Sequence, residues 1–134
     1  MKKVLLVAFL SAGAGAVQAQ PAAPAACAQG EAQAAYQIGL RHRNGVDVPR
    51  DAALALHWFG KAAACQMPAA MFTLSNMLAA GEGMPADAAQ ARRYLETAAA
   101  LGFPEALQQL ALTEPDPRKA DLLMRQAAHA LQHR

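Results

Sequence analysis

The sequence predicts an all-α protein, an α/α solenoid built from stacked helix pairs. The main observation is a self-match at an offset of 36 residues, under which Tyr36 aligns with Phe72 and Trp58 with Tyr94. A second observation is that apolar residues recur at helical spacing inside each unit. Fixed periods of this length are typical of stacked units that cannot bury their apolar faces alone. Residues between the helices align as well: Gly45 with Gly81, Pro49 with Pro85, and Asp51 with Asp87.

The first nineteen residues have the pattern of an export signal. Lys2 and Lys3 precede an apolar stretch over residues 4–16, and Val17-Gln18-Ala19 fits a cleavage site. This stretch is shorter than the roughly 20 residues that span a bilayer as a helix. We therefore expect a signal peptide over 1–19, a mature chain without a membrane span, and a periplasmic or secreted destination. Cys27 lies too far beyond the apolar stretch for a lipid anchor.

Removal of this signal would leave a chain without net charge. The full sequence has 12 Lys and Arg against 10 Asp and Glu, and Lys2 and Lys3 account for the excess. A neutral chain is not drawn strongly to nucleic-acid phosphates or to anionic lipid. We therefore expect no nucleic-acid partner. The remaining length suits one domain, which we expect to be monomeric.

The mature chain divides into a lead-in and three helical units. Residues 20–30 are rich in Pro and Ala and have no apolar period, which is typical of an extended segment. Units are expected over 31–66 and 67–102, followed by an abbreviated third unit over 103–134. The apolar spacing, candidate Asp N-caps and the glycines that end helices predict six helices. These helices are expected over 31–44, 51–64, 68–80, 87–100, 104–112 and 117–131.

The second helix of each unit has the clearest apolar stripe. Small and large apolar residues alternate along it, which lets neighbouring helices approach closely and interlock. We expect Trp58 and Tyr94 in this stripe to pack in the core. The third unit is shortened, since its second helix follows the matching one by only 29 residues. Its polar residues suit a terminal cap with one face in water, namely Gln108, Gln109, Arg125, Gln126, Gln132 and His133.

Cys27 and Cys65 are the only two cysteines of the chain. An even count in an exported protein favours a disulfide over two separate thiols. Cys27 lies just before the first predicted helix and Cys65 at the end of the second, and an antiparallel helix pair brings those ends together. We expect the bridge, with two free thiols as the alternative.

These motifs resemble the Sel1-like repeat, a relative of the tetratricopeptide repeat. The resemblance covers about residues 32–106 well and implies an α/α solenoid that acts as a scaffold for protein partners. Its cysteine-rich exported members carry bridges across a helix pair. Three positions depart from the family glycines: Asp47, Gln66 and Ser75. The first unit supplies Ile38-Gly39, His42, Gly45, Val48, Asp51, Ala55, Trp58 and Ala62-Ala63, and the second supplies Leu74, Leu78, Gly81, Gly83, Met84, Asp87, Ala91, Tyr94, Ala98-Ala99 and Gly102.

The sequence has no constellation that indicates catalysis. Some cysteine-rich members of the family are described as penicillin-binding or β-lactamase-like, but Ser75 is the only serine after residue 19 and no Ser-x-x-Lys follows. The four histidines are not at zinc-ligand spacing. We expect His42 at the edge of the core and His57 in solvent. The sequence therefore predicts a protein that is not an enzyme and needs no cofactor or metal.

Three functions stay open at this point. The first is an interaction module for a protein or peptide in the cell envelope, the second a cell-wall-associated or β-lactamase-like factor, and the third a passive structural subunit. We favour the first. First helices line the concave side of helix-pair solenoids, so an exposed stripe on them is the expected binding surface. Its predicted members are Gln37, Leu40, Arg41, Asn44, Thr73, Asn76, Met77, Ala80, Gln109 and Leu112.

Overall fold

The computed structural model describes residues 27–133, which form six α-helices and no strand. The predicted signal peptide and most of the lead-in lie outside the described residues. The helices are α1 (Glu31–Asn44), α2 (Ala52–Ala64), α3 (Pro68–Ala80), α4 (Ala88–Ala100), α5 (Pro104–Thr113) and α6 (Pro117–Gln132).

Successive helices pack as pairs, and the pairs stack along the chain. Helix α1 packs on α2, α3 on α4, and α5 on α6, while α2 also contacts α3 and α4 contacts α5. Helices α2 and α4 therefore each lie between the first helix of their own pair and that of the next. This arrangement confirms the predicted α/α solenoid of helix pairs.

Aspartates fix the start of all three second helices. Asp51 accepts a hydrogen bond from the Leu54 backbone nitrogen, and Asp87 accepts one from Gln90, each at 2.9 Å. Asp116 caps α6 in the same way. Both Asp51 and Asp87 have extended backbones, as N-caps do. The helices therefore begin one residue later than the predicted starts at 51 and 87.

The core is a continuous band of alanines and large apolar side chains between the two layers of helices. Phe59 and Met77 are its largest fully buried side chains. Trp58 and Tyr94 pack against this core but are only partly buried. The Trp58 ring stays open on one side, where the Lys61 ammonium lies 4.7 Å from the ring centroid. The buried anchor of α2 is therefore Phe59, the neighbour of the tryptophan in the predicted stripe.

Two of the departures from the family glycines keep the backbone shape of a glycine. Asp47 and Gln66 have φ angles of 61° and 60°, in the left-handed region. The residues 36 positions later are Gly83 and Gly102, each with φ of 81°. The turns of the first pair therefore follow the same left-handed path with side chains that rarely adopt it.

A disulfide joins Cys27 to Cys65, as the sequence predicts. The two Cα atoms lie 5.6 Å apart, within the usual range for a bridge. The bond ties the segment before α1 to the C-cap residue of α2, so the covalent loop encloses the first helix pair and nothing else.

The third pair differs from the predicted polar cap. Gln108, Arg125, Gln126 and Gln132 are exposed, in keeping with that prediction, but Gln109 is partly buried against α3. Large apolar residues are also exposed at this end of the stack. These are Leu112, Leu122, Met124 and Leu131. The outer surface of the third pair is therefore mixed, not uniformly polar.

Candidate functional site

The first helices of the three pairs lie side by side and form one layer. The hydroxyl oxygens of Tyr36 on α1 and Thr73 on α3 lie 3.5 Å apart. The Gln109 amide on α5 donates to the Asn76 side-chain oxygen on α3 at 3.4 Å. The predicted binding stripe runs across this layer, and the structure divides it into rows with different surroundings.

One row of the stripe faces the preceding helix pair and is not a free surface. Thr73 in this row meets Tyr36 of α1 and is only 7% exposed, and Met77 one turn later is fully buried. The equivalent residues of α1, Gln37 and Arg41, are exposed because no earlier helix within the described residues covers them. The prediction that Thr73 and Met77 are exposed was wrong, since spacing alone does not distinguish solvent from a neighbouring pair.

A second row faces the following helix pair. Leu40 is partly buried against the core, and Asn76 is partly buried through its contact with Gln109 of the next pair. Leu112, the third member, is 78% exposed. Along the stack, this row therefore makes an apolar contact at Leu40 and a polar contact at Asn76, and it ends in a solvent-exposed leucine at Leu112.

The C-terminal ends of α1 and α3 carry the remaining predicted residues. Asn44 and Ala80 are both exposed. Arg41 lies 3.5 Å from Asp47, but both side chains are largely in water, so this ion pair contributes little to stability. We define a first-helix face from the stripe residues that are at least partly exposed and do not face the preceding pair. Gln109 is included in it. The members of this face are Leu40, Asn44, Asn76, Ala80, Gln109 and Leu112.

An ion pair between Arg43 and Glu82 borders this face. The guanidinium donates to both carboxylate oxygens, at 2.8 and 3.3 Å, and links the end of α1 to the loop after α3. The hydrogen bond from Arg43 and the charges of Arg43 and Arg50 hold the pKa of the Glu82 carboxyl below its ordinary value, although partial burial opposes them. Arg43 lies in a run with Arg41 and His42 that alone suggests a solvated helix face. Arg43 has a structural role because it pairs with Glu82 in the loop after α3.

The side chains that could act as nucleophiles or metal ligands do not form a reactive site. Ser75 is 2% exposed, inside α3. His42 is half-buried and its Nδ1 atom has no partner among the described residues, while His57 is exposed and meets the edge of Trp58. Cys27, Glu31 and Cys65 lie close enough together to suggest a metal site. Because the two sulfurs are bonded to each other, they are not thiolates and this cluster lacks the ligands that a soft metal prefers.

No helix in the part of the chain that the structure describes has the length and apolar character needed to cross a membrane.

Two solved structures have a similar fold. A Sel1 repeat protein from Oxalobacter formigenes superposes with a TM-score of 0.72 at 24% identity, over 77% of this chain and 45% of its own. A protective antigen present in uropathogenic Escherichia coli strains, which displays the SLR fold, has a TM-score of 0.68 at 31% identity. That match covers 75% of this chain and 23% of the antigen. The chain thus spans less than half the length of either protein.

No curated protein is significantly similar to the chain. The family model of the Sel1 repeat, however, matches residues 32–66 and 68–103, which together make up more than half of the sequence. Sel1 repeats are generally modules for protein–protein interaction, and typically non-catalytic. On this match and on its stacked helix pairs, the chain belongs to the Sel1 repeat family.

Proposed function

We propose that the protein is an exported, non-catalytic module that binds a protein or peptide partner in the cell envelope through its first-helix face. The observation that carries this proposal is the contact between Asn76 and Gln109, which joins α3 to α5 in the middle of that face. Leu40 and Leu112 hold the positions equivalent to Asn76 on α1 and α5, so the face combines amide groups with apolar side chains. Amides next to apolar side chains suit an extended peptide or a partner helix.

The shape of the layer also supports a macromolecular partner. The first-helix face runs across three helices, from Asn44 at the end of α1 to Leu112 on α5. Small-molecule sites are instead compact pockets that bury most of their ligand. The exposed alanine Ala80 leaves the C-terminal end of α3 on this face without a bulky side chain, so another chain could approach the backbone there.

Export is supported by two independent features. The disulfide between Cys27 and Cys65 belongs to an oxidising compartment. The sequence of residues 1–19 has the composition of a signal peptide. We propose that the mature chain is a monomer that meets its partner in the periplasm or beyond.

Site-specific photo-crosslinking in cells tests this function. A photoreactive amino acid placed at Ala80 on the first-helix face should capture a defined partner, identified by mass spectrometry of the tagged mature chain. The matched control is Ala89, which is also an exposed alanine but lies at the start of α4. Both sites start from a methyl group without hydrogen bonds, so the two substitutions perturb the fold similarly.

The proposal requires a crosslinked product at Ala80 that is absent at Ala89. Equal products from both sites, or a product at Ala89 alone, would remove the first-helix face as the binding surface. Hydrolysis of a chromogenic β-lactam by the purified oxidised chain would contradict the non-catalytic part of the proposal.

A further inference from the structure

The second helix of each pair carries two apolar positions that are buried in the first two pairs. In α2 these positions hold Phe59 and Ala63, and in α4 they hold Leu95 and Ala99; all four are buried. The same positions can be followed into α6 at the shorter offset of 29 residues, where they hold Met124 and Ala128.

In α6 these two positions are open. Met124 is 46% exposed, against 5% for Leu95 and 0% for Phe59, and Ala128 is exposed as well. Ala127, which faces α5 inside the pair, is 1% exposed, so α6 is packed normally on its own partner. The two positions are therefore buried where another pair follows and exposed where none follows within the described residues, although Phe59 at the first of them also packs on Gly39 of its own pair.

Two further apolar residues extend this open side. Leu131 lies seven residues after Met124, on the same face of α6, and is 44% exposed. Leu112 on α5 occupies the position that in α1 and α3 meets the following pair, and it is 78% exposed. We call these four residues the terminal face: Leu112, Met124, Ala128 and Leu131.

Helices α3 and α5 show which kind of helix packs on the equivalent face of an earlier pair. In α3 and α5, the buried residues near the start of the helix follow one pattern, Pro-x-Ala-Met/Leu-x-x-Leu. Ala70, Met71 and Leu74 are at most 4% exposed, and Ala106, Leu107 and Leu110 at most 8%. At the first of these positions α1 has Ala34, which is exposed because no earlier helix within the described residues meets it. At the last position α1 has Ile38, which is only partly buried, whereas Ala35 at the middle position is buried without a preceding pair. The alanine and the final leucine of the pattern are thus the residues whose burial depends on a preceding pair.

We propose that the terminal face binds an amphipathic helix of a partner protein that carries the pattern Pro-x-Ala-Met/Leu-x-x-Leu. The helix would lie between α5 and α6 as α3 lies on the first pair and α5 on the second. This continues an interface that the stack already makes twice, with side chains of the same kind.

A second copy of this chain is a poorer occupant. To stack head to tail, it would present the outer side of its own α1. That side carries Gln37 and Arg41, where α3 has Thr73 and the fully buried Met77. An amide and a guanidinium would lose contact with water against the terminal face, and the weak ion pair of Arg41 with Asp47 would only partly offset that cost in free energy.

Fluorescence anisotropy with a peptide from the chain itself tests the inference. The probe is a labelled peptide of residues 66–81, titrated with the oxidised mature chain. We expect saturable binding that Met124→Glu weakens by about tenfold or more, since a buried carboxylate has no partner there. The matched control is Leu122→Glu. Leu122 is also exposed on α6, but it aligns with His57 and Arg93, which lie in solvent in the earlier pairs.

Three results would overturn the proposal. They are no binding up to about 1 mM peptide, equal weakening by Met124→Glu and Leu122→Glu, and unchanged affinity of a peptide in which the residue matching Ala70 is aspartate. A dimer in sedimentation velocity that Met124→Glu dissociates would assign the face to a second copy instead. Circular dichroism of each variant verifies that it is folded. Ala80 lies on α3, outside the terminal face, and the two surfaces share only Leu112, so either proposal can fail alone.

Discussion

Phe59 packs so closely on Gly39 that no side chain fits between them. A Cβ atom at residue 39 would lie 2.7 Å from the ring. In the second pair the corresponding residues are Ser75 and Leu95, and in the third they are Ala111 and Met124. A slightly larger residue on the first helix thus accompanies a narrower one on the second. This pairing explains why Ser75 replaces the family glycine without disturbing α3.

Substitution of Gly39 and Phe59, singly and together, should show that their contributions to the free energy of unfolding are coupled. Gly39→Ser alone should destabilise the protein by about 1–3 kcal/mol, because it overfills a packed site. Adding Phe59→Leu should recover part of that loss, since the pair then matches the second unit. Urea unfolding of the two single variants and the double variant measures the coupling. Strictly additive losses would show that the two residues are independent.

Replacement of Gln66 by glycine should stabilise the protein. Gln66 is exposed and has a φ of 60°, which costs a residue with a Cβ atom about 1–2 kcal/mol. Glycine relieves that cost but loses more chain entropy on folding, so we expect a net gain of about 0.5–1 kcal/mol. Thermal unfolding measures it. Gln66→Ala is the control, because it shortens the side chain and keeps the unfavourable φ; a similar gain from alanine would contradict this explanation.

Loss of the disulfide should cost more than loss of any surface contact. The bonded residues are 38 positions apart, and closing a loop of that size contributes about 4 kcal/mol in the chain-entropy model. The variant Cys27→Ser with Cys65→Ser should therefore unfold at lower urea concentration, and reduced native protein should match it. Intact mass after alkylation reports the bond directly. Two alkylated cysteines in unreduced periplasmic protein would falsify the bridge.

The ion pair of Arg43 and Glu82 should stabilise the fold only above the acid range. The arginine lowers the pKa of Glu82 in the folded state, so the contribution is complete above the unfolded glutamate pKa of about 4.3. It is lost as pH falls through the lower, folded value. Because both side chains are partly exposed, we expect Glu82→Gln to cost at most about 1 kcal/mol at pH 7. The difference between variant and native protein should shrink towards pH 3; a difference that grows in acid would contradict the assignment.

The sequence predicts the helix bounds to within one residue, and a local signal marks many of the helix ends. Asp51 and Asp87 mark N-termini, Gly45 and Gly81 mark C-termini, and the apolar stripe between them has a helical period. Helices α5 and α6 have no glycine at their C-terminal ends, and each runs one residue beyond the predicted end, 112 and 131. Local signals of this kind do not depend on how the pairs are stacked.

The surface was harder to predict because exposure depends on the neighbouring pair. Gln37 and Thr73 are equivalent in the repeat, yet one lies in solvent and the other is buried against Tyr36. The same holds for Leu95 and Met124. A repeat period identifies equivalent positions, and the place of each unit in the stack decides which of them are free.

Because the disulfide encloses the first helix pair, local unfolding of the stack should start at its other end. A solenoid loses its units from the ends, because a terminal unit has a neighbour on one side only. At the N-terminal end the covalent loop from Cys27 to Cys65 resists that fraying, whereas α5 and α6 have no bond of this kind among the described residues. Local unfolding should therefore start at α6 and proceed towards α2. Proteolysis and rapid amide exchange should begin in α5 and α6 while α1 and α2, held by the disulfide, are still folded.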